Sequence, residues 1–165
     1  MKSALIVIDV QKGFAVDMAE DLPKKIVEHL NNHKYDYVLF TISHNTPSSN
    51  FRKILKWSGG IKRPYTDIHP LIKPLLTRDN TFHKSTYSAF KAPGLKKFIK
   101  KNDVQGLYLC GINTDACVLA SAFEAFDLGY NFKIIDELCS VSSYKQEYVN
   151  AANVIIARNL REKVK

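Results

Sequence analysis

Five short apolar segments limit the possible folds of this chain more than any other feature. Three of them are continuously apolar, which is typical of strands that helices cover on both faces. The segments span residues 4–8, 37–42, 81–84, 106–110 and 132–136. Helical patterns follow the first, third, fourth and fifth segments, at residues 22–33, 93–101, 116–128 and 143–159. This alternation predicts a three-layer α/β/α fold around a mostly parallel sheet.

The stretch from residue 45 to residue 80 differs from the rest because it holds four of the six prolines. We interpret it as a long excursion with one short helix at residues 51–56. Long irregular segments inside compact domains often carry function, for example as lids over a site. The length of 165 residues fits one hydrophobic core, so we expect residues 1–165 to form a single domain.

The formal net charge of +8 raises the question of a nucleic-acid partner. The lysines are dispersed, and no nucleic-acid motif accompanies the densest groups at residues 96–101 and 161–165, so we expect solvated surfaces there. No apolar stretch approaches the roughly 20 residues of a membrane helix, and the sequence has no recognisable export signal. We therefore expect a cytoplasmic protein without a nucleic-acid or membrane partner.

Three residues that can carry chemistry lie where predicted strands end. Asp9 follows the first strand, Lys84 ends the third, and Cys117 follows the fourth after a short turn. Ligands of open parallel sheets bind at the carboxyl ends of the strands, so the three side chains are expected to converge. Each also has a structural interpretation: Asp9 as a helix cap, Lys84 as a surface lysine and Cys117 as core. The coincidence of all three favours a catalytic site.

The predicted position of Cys117 at the start of a helix suggests an activated nucleophile. The helix dipole and a nearby ammonium are expected to lower the pKa of such a thiol. A carboxylate within reach accepts the thiol proton and returns it to a leaving amine. The backbone N–H groups of Asn113 and Cys117 are candidates for an oxyanion hole. Cys110 and Cys139 are better candidates for core positions, and without a CxxC pair we expect no structural zinc and no cofactor.

Three segments resemble the isochorismatase-like cysteine hydrolases, which include nicotinamidases and N-carbamoylsarcosine amidases. The segments read ALIVIDVQKGF, FHKSTYSAF and LCGINTDACVLASAFEAFDLGY, in the family's order and spacing. The resemblance implies a Rossmann-like isochorismatase-type fold and an Asp–Lys–Cys triad carried by Asp9, Lys84 and Cys117. It also implies a cis peptide bond between Ile112 and Asn113, a short sixth strand near residues 160–164, and a homo-oligomer of two or more chains.

One region departs from the nicotinamidase pattern. Nicotinamidases place an Asp-x-His and further histidines after the second strand to hold a metal ion. Here the region reads TISHNTPSSNFRKILKW, in which His44 lacks its aspartate, and His69 and His83 are isolated. We therefore expect no metal ion. The pattern from Asn45 to Trp57 resembles the metal-free amidohydrolase branch instead.

The sequence thus predicts a cysteine hydrolase that cleaves an amide or carbamoyl C–N bond of a small molecule through a thioester. Vinyl-ether hydrolysis of an isochorismate-like acid, and a non-catalytic binding protein on the same scaffold, remain alternatives. Four aromatic residues near the motifs are candidates for the walls of a small apolar pocket, although core or interface positions suit them equally. They are Phe14, Trp57, Tyr87 and Phe90.

Overall fold

The five predicted strands form one parallel sheet in the computed structural model, which describes residues 1–161. Their order across the sheet is β3-β2-β1-β4-β5, and every neighbouring pair is parallel. The last two strands run several residues beyond the predicted segments. The strands are β1 (Lys2–Ile8), β2 (Tyr37–Ser43), β3 (Thr81–Lys84), β4 (Val104–Ile112) and β5 (Phe132–Ser140).

Five α-helices accompany the sheet within residues 1–161, close to the predicted positions. They are α1 (Leu22–Asn32), α2 (Asn50–Lys53), α3 (Leu95–Lys101), α4 (Leu119–Asp127) and α5 (Gln146–Asn159). The predicted short helix at residues 51–56 is reduced to α2. The predicted helix at residues 116–128 is two elements, because a π-helical turn, Thr114–Val118, precedes α4. Cys117 therefore lies in this turn rather than in the first turn of a regular α-helix.

Alternate side chains of β1 point to opposite faces of the sheet and divide the core into two halves. On one face, Leu5 and Val7 pack with Leu22 and Ile26 of α1. On the other face, Ala4, Ile6 and Ile8 pack with buried residues of α3 and α4, namely Leu95, Ile99, Ala122 and Ala125. The three-layer α/β/α prediction is therefore confirmed.

The strand order places the topological switch point between β1 and β4. From β1 the chain builds outward through β2 and β3, and it then returns to the other side of β1 with β4 and β5. Ile8 pairs with Gly111 in the register of β1 and β4. Gly111 has φ of 129°, and a Cβ at this position would collide with the backbone of Ile8. The close approach brings Asp9, next after Ile8, beside the segment that leads to Cys117.

The chain after α5 contains no strand within the described residues. Leu160 and Arg161 follow the helix in a turn and a bend. The remainder of the predicted sixth strand at residues 160–164 lies outside the described residues. Within residues 1–161, none of the helices has the length and apolar character needed to cross a membrane.

Candidate active site

Asp9 and Lys84 form a buried ion pair across the carboxyl ends of β1 and β3. The Lys84 Nζ lies 2.6 Å from Asp9 Oδ2, and the two residues are 4% and 1% exposed. The ammonium also donates to the backbone oxygen of Thr86 at 2.8 Å. Burial lowers the pKa of Lys84, but the Asp9 carboxylate and the Cys117 sulfur outweigh burial and raise this pKa above its ordinary value. Lys84 therefore stays an ammonium.

The same ammonium reaches the sulfur of Cys117. Lys84 Nζ lies 3.6 Å from Cys117 Sγ, so one side chain joins the carboxylate and the thiol. Burial, and next the nearby Asp9 carboxylate, raise the pKa of Cys117 to about 12, and Lys84 opposes this shift only in part. The expectation of a lowered thiol pKa is therefore wrong. Burial and the Asp9 carboxylate therefore disfavour the thiolate form of Cys117.

Thr41 of β2 holds the second oxygen of the Asp9 carboxylate. Its hydroxyl donates to Asp9 Oδ1 at 2.8 Å, and the Asp9 backbone N–H donates to the Thr41 carbonyl at 3.1 Å. Asp9 has φ of 54°, in the left-handed region, where the chain turns away from β1. Sequence reasoning missed Thr41. The available signal was a threonine near the carboxyl end of a mostly apolar strand, YVLFTIS.

Ser121 of α4 ties the turn that carries Cys117 to the loop after β3. Its hydroxyl donates to the Cys117 carbonyl at 2.6 Å and accepts from the Ala89 N–H at 2.8 Å. The residue is fully buried. Sequence reasoning missed this residue too. The signal was a serine four residues after Cys117, and therefore on the same side of the helix.

The peptide bond between Ile112 and Asn113 is cis, as the resemblance implied. The Asn113 side chain accepts from the N–H of Ser142 at 2.6 Å and from its hydroxyl at 2.9 Å. The same hydroxyl lies 2.5 Å from the Phe14 carbonyl oxygen, so its single hydrogen is shared between these two acceptors. These bonds anchor the segment before Cys117 to two other loops. Asn113 and Cys117 both line the cavity above the ion pair.

A cavity of about 340 Å³ opens above these groups. Of the predicted aromatic residues, Phe14, Trp57 and Tyr87 line it. The prediction for Phe90 is wrong: its ring is fully buried among core residues and stacks on Tyr130 with the ring centroids 5.3 Å apart. Tyr87, three residues earlier, lines the cavity, but the turn at Ala89–Lys91 directs Phe90 inward. The complete lining is Asp9, Phe14, Ser43, Phe51, Leu55, Trp57, Tyr87, Ile112, Asn113, Ala116 and Cys117.

The long excursion after β2 supplies one wall of this cavity. Phe51 makes edge-to-face contacts with Tyr87 and Trp57, with ring centroids 4.8 and 5.7 Å apart. The buried Asn45 side chain donates to the carbonyls of Trp57 at 3.1 Å and Gly59 at 2.7 Å. The asparagine thus closes the loop that presents Trp57 to the cavity.

The residues after β2 do not fit a metal site of the nicotinamidase kind. Ser43 and Asn45 are buried, but the Asn45 amide donates to two backbone carbonyls, and the Gln11 side-chain amide bonds to the backbone N–H and carbonyl of Ser43. His44 is exposed. In the part of the chain that the structure describes, no three His, Cys, Asp or Glu side chains are grouped to hold a metal ion.

Comparison with known proteins identifies the family. A family model described as the Isochorismatase domain matches residues 3–159, nearly the whole chain. The chain belongs to the isochorismatase family. The structure of nicotinamidase PncA from Bacillus subtilis superposes on this family member with a TM-score of 0.80 at 23% identity, covering 97% of each chain. This similarity confirms the isochorismatase-type fold.

Sequence relatives agree with this assignment. The isochorismatase family protein YecD of Escherichia coli O157:H7 is 30% identical over 93 residues, which cover 56% of this isochorismatase-family chain and about half, 49%, of that relative. A nicotinamidase of Acinetobacter baylyi is 26% identical over 172 aligned residues, which cover 82% of this chain and 80% of that enzyme.

Proposed function

We propose that this isochorismatase-family hydrolase cleaves a C–N bond of a small amide or carbamoyl compound, with Cys117 as nucleophile and a thioester intermediate. The observation that carries the proposal is the position of Lys84 Nζ, in contact with both Asp9 and Cys117 beneath an apolar cavity. A base, a cation and a thiol at one cavity floor suit acyl transfer. The relationship to a nicotinamidase supports amide chemistry.

The raised pKa of Cys117 makes proton transfer part of the attack. As Sγ bonds to the carbonyl carbon, the thiol proton moves to Asp9 and the C=O electron pair moves to oxygen. The N–H groups of Asn113 and Cys117 stabilise that oxyanion. Asp9 then returns the proton to nitrogen as the C–N bond breaks, and the amine leaves. Water attacks the thioester, Asp9 takes its proton, and the carboxylic acid product departs as the Cys117 thiol reforms.

Lys84 has a different part in this scheme. Its ammonium holds Asp9 in place and lowers the cost of negative charge on sulfur while the thioester forms and breaks. Because Lys84 keeps its contacts with Asp9 and Cys117 within one buried cluster, its positive charge stabilises negative charge on these two groups. It does not exchange its proton. The segment from Ile112 to Cys117 positions the oxyanion donors beside the same sulfur.

Vinyl-ether hydrolysis of an isochorismate-like acid is supported less well. Such a substrate carries carboxylates, and no lysine or arginine is among the described residues that line the cavity. Lys84 lies below the cavity and is engaged by Asp9. Transfer of a carboxylate into this apolar space therefore lacks a counter-ion.

An amide screen tests the proposed function. Neutral aliphatic and aromatic primary amides are incubated with the protein, ammonia release is measured, and acid-quenched samples are examined for acylated Cys117 by mass spectrometry. We expect release with the wild type and none with Cys117→Ala. Activity that persists in Cys117→Ala contradicts the thioester route. Binding of amides without any ammonia or adduct supports the non-catalytic alternative. A cytoplasmic location, a homo-oligomeric state and the lack of a nucleic-acid partner remain predictions.

A further inference from the structure

We propose that the substrate carries a neutral, apolar acyl group long enough to extend from the catalytic cavity into a second cleft beside it. The inference rests on the proposed function, because it names the substrate class of the same nucleophile. The second cleft has a volume of about 300 Å³. Each space by itself is at the lower end of the range for small-molecule sites, which begins at about 300 Å³.

The two spaces share one wall. Phe51, Leu55 and Tyr87 line both the catalytic cavity and the second cleft. Phe51 is buried, whereas Leu55 and Tyr87 are 54% and 44% exposed. The Phe51 and Tyr87 rings are in edge-to-face contact, so the route left for a longer ligand runs over the exposed rim at Leu55 and Tyr87.

The lining of both spaces selects against charge. The remaining walls of the second cleft come from Asn50, Ile54, Ser85 and Thr86, none of them charged. In the catalytic cavity the one charged residue lining the described walls is Asp9, which Lys84 neutralises. The chain as a whole carries a formal charge of +8, so this neutrality is a property of the site and not of the composition.

These observations define the acyl group. Transfer of an apolar chain from water to the boundary at Leu55 and Tyr87 is favourable. A carboxylate at the end of that chain would lose its hydration without gaining a charged partner. The uncharged polar groups of Asn50, Ser85 and Thr86 tolerate the end of the chain. The substrate class is therefore a neutral amide with an extended hydrocarbon acyl group, longer than a carbamoyl compound.

Aldehydes test the inference without any knowledge of the natural substrate. Cys117 Sγ adds to the aldehyde carbon, the S–C bond forms, and the thiol proton ends on the former carbonyl oxygen as a thiohemiacetal. Carbon NMR of aldehydes labelled at C1 gives the dissociation constants. The probes are butanal and octanal with their chain-matched anions, succinic semialdehyde and suberic semialdehyde. We expect octanal to bind at least about tenfold more tightly than butanal, and each neutral aldehyde more tightly than its anion.

A charge placed in the second cleft sharpens the test. Ile54→Arg is expected to weaken octanal binding, to strengthen binding of suberic semialdehyde and to leave butanal unchanged. The matched control is Val154→Arg on α5, because Val154 and Ile54 are 68% and 70% exposed. The control is expected to change none of the four dissociation constants.

The outcomes separate the two proposals. Cys117 adducts that form equally well with butanal and octanal overturn the extended acyl group and leave the proposed function standing. The absence of a Cys117 adduct with every aldehyde overturns both proposals. A change of oligomeric size in Ile54→Arg, with unchanged aldehyde selectivity, assigns Ile54 to contact with a second copy of the chain and also overturns the subsite.

Discussion

Thr41 donates a hydrogen bond of 2.8 Å to Asp9, on the carboxylate oxygen that Lys84 does not contact. Both oxygens of this buried carboxylate therefore have a donor of their own. The arrangement fixes the rotation of the carboxyl group that the proposed mechanism uses as base and acid. Thr41 does not line the cavity, so we regard it as a positioning residue.

Thr41→Val is expected to lower both stability and turnover. The variant keeps the shape of the side chain but leaves Asp9 Oδ1 without its donor, which costs about 1.5–3 kcal/mol for a bond to a charged group. Urea denaturation measures the stability. Thr46→Val is the control, since its hydroxyl contacts only the Ser48 hydroxyl at the surface. Equal stability of the two variants contradicts the role assigned to Thr41.

Comparison of a single and a double variant tests the buried ion pair. Lys84→Met leaves the Asp9 carboxylate buried without its cation, and loss of one partner of a buried pair costs about 3–5 kcal/mol. Asp9→Asn combined with Lys84→Met removes both charges, and asparagine tolerates the left-handed conformation at position 9. We expect the double variant to unfold at a higher urea concentration than Lys84→Met alone. The reverse order means that the unpaired Asp9 carboxylate is not what destabilises Lys84→Met.

Asp9→Asn is expected to separate thiol reactivity from hydrolysis. The Asp9 carboxylate raises the pKa of Cys117 and Lys84 lowers it, so removal of the carboxylate lets this pKa fall from about 12. Alkylation of Cys117 by iodoacetamide at neutral pH therefore becomes faster. Amide turnover falls by about 10²–10⁴-fold, because the proton acceptor and donor is lost. Mass spectrometry of the alkylated peptides and ammonia release measure the two effects. Slower alkylation argues against a Cys117 pKa that Asp9 raises and Lys84 lowers.

The sequence predicted that Asp9, Lys84 and Cys117 would lie together better than it predicted their electrostatics. Asp9 and Lys84 end apolar segments, and that pattern sufficed because parallel strands bring their carboxyl ends to one edge. Local pattern could not show that Cys117 would lie half-buried beside a carboxylate, which reverses the expected pKa direction. Local pattern also could not predict which way the Phe90 ring points, because the direction of a side chain in a tight turn depends on tertiary packing. Thr41 was missed for a similar reason: its partner is 32 residues away in the chain.

The raised pKa of Cys117 also predicts a loss of stability at alkaline pH. In the unfolded chain, a cysteine thiol has a pKa of about 8.5. Above that pH, the unfolded chain releases a proton that Cys117 of the folded chain holds up to its pKa of about 12. This contribution to stability is complete below the unfolded pKa and decreases as pH rises towards the folded one. Cys117→Ala is expected to lose less stability between neutral and alkaline pH in urea denaturation. Cys110 and Cys139 remain in both proteins, so the difference reports Cys117; parallel curves contradict the raised pKa.

Asn45→Asp is expected to release the loop that carries Trp57. The Asn45 amide donates to the carbonyls of Trp57 and Gly59, and an aspartate would direct a carboxylate oxygen at these same acceptors. The loss of two hydrogen bonds from a buried amide, with repulsion between oxygen atoms in their place, costs about 1–3 kcal/mol of folding stability. Trp57 is the single tryptophan of the chain, so its fluorescence reports the loop directly. We expect emission shifted towards that of a solvated indole and weaker binding of octanal.

Asn150→Asp, at an exposed position of α5, is the control and is expected to change neither signal. Unchanged Trp57 emission in Asn45→Asp would mean that Phe51 and the neighbouring glycines hold the loop without the amide.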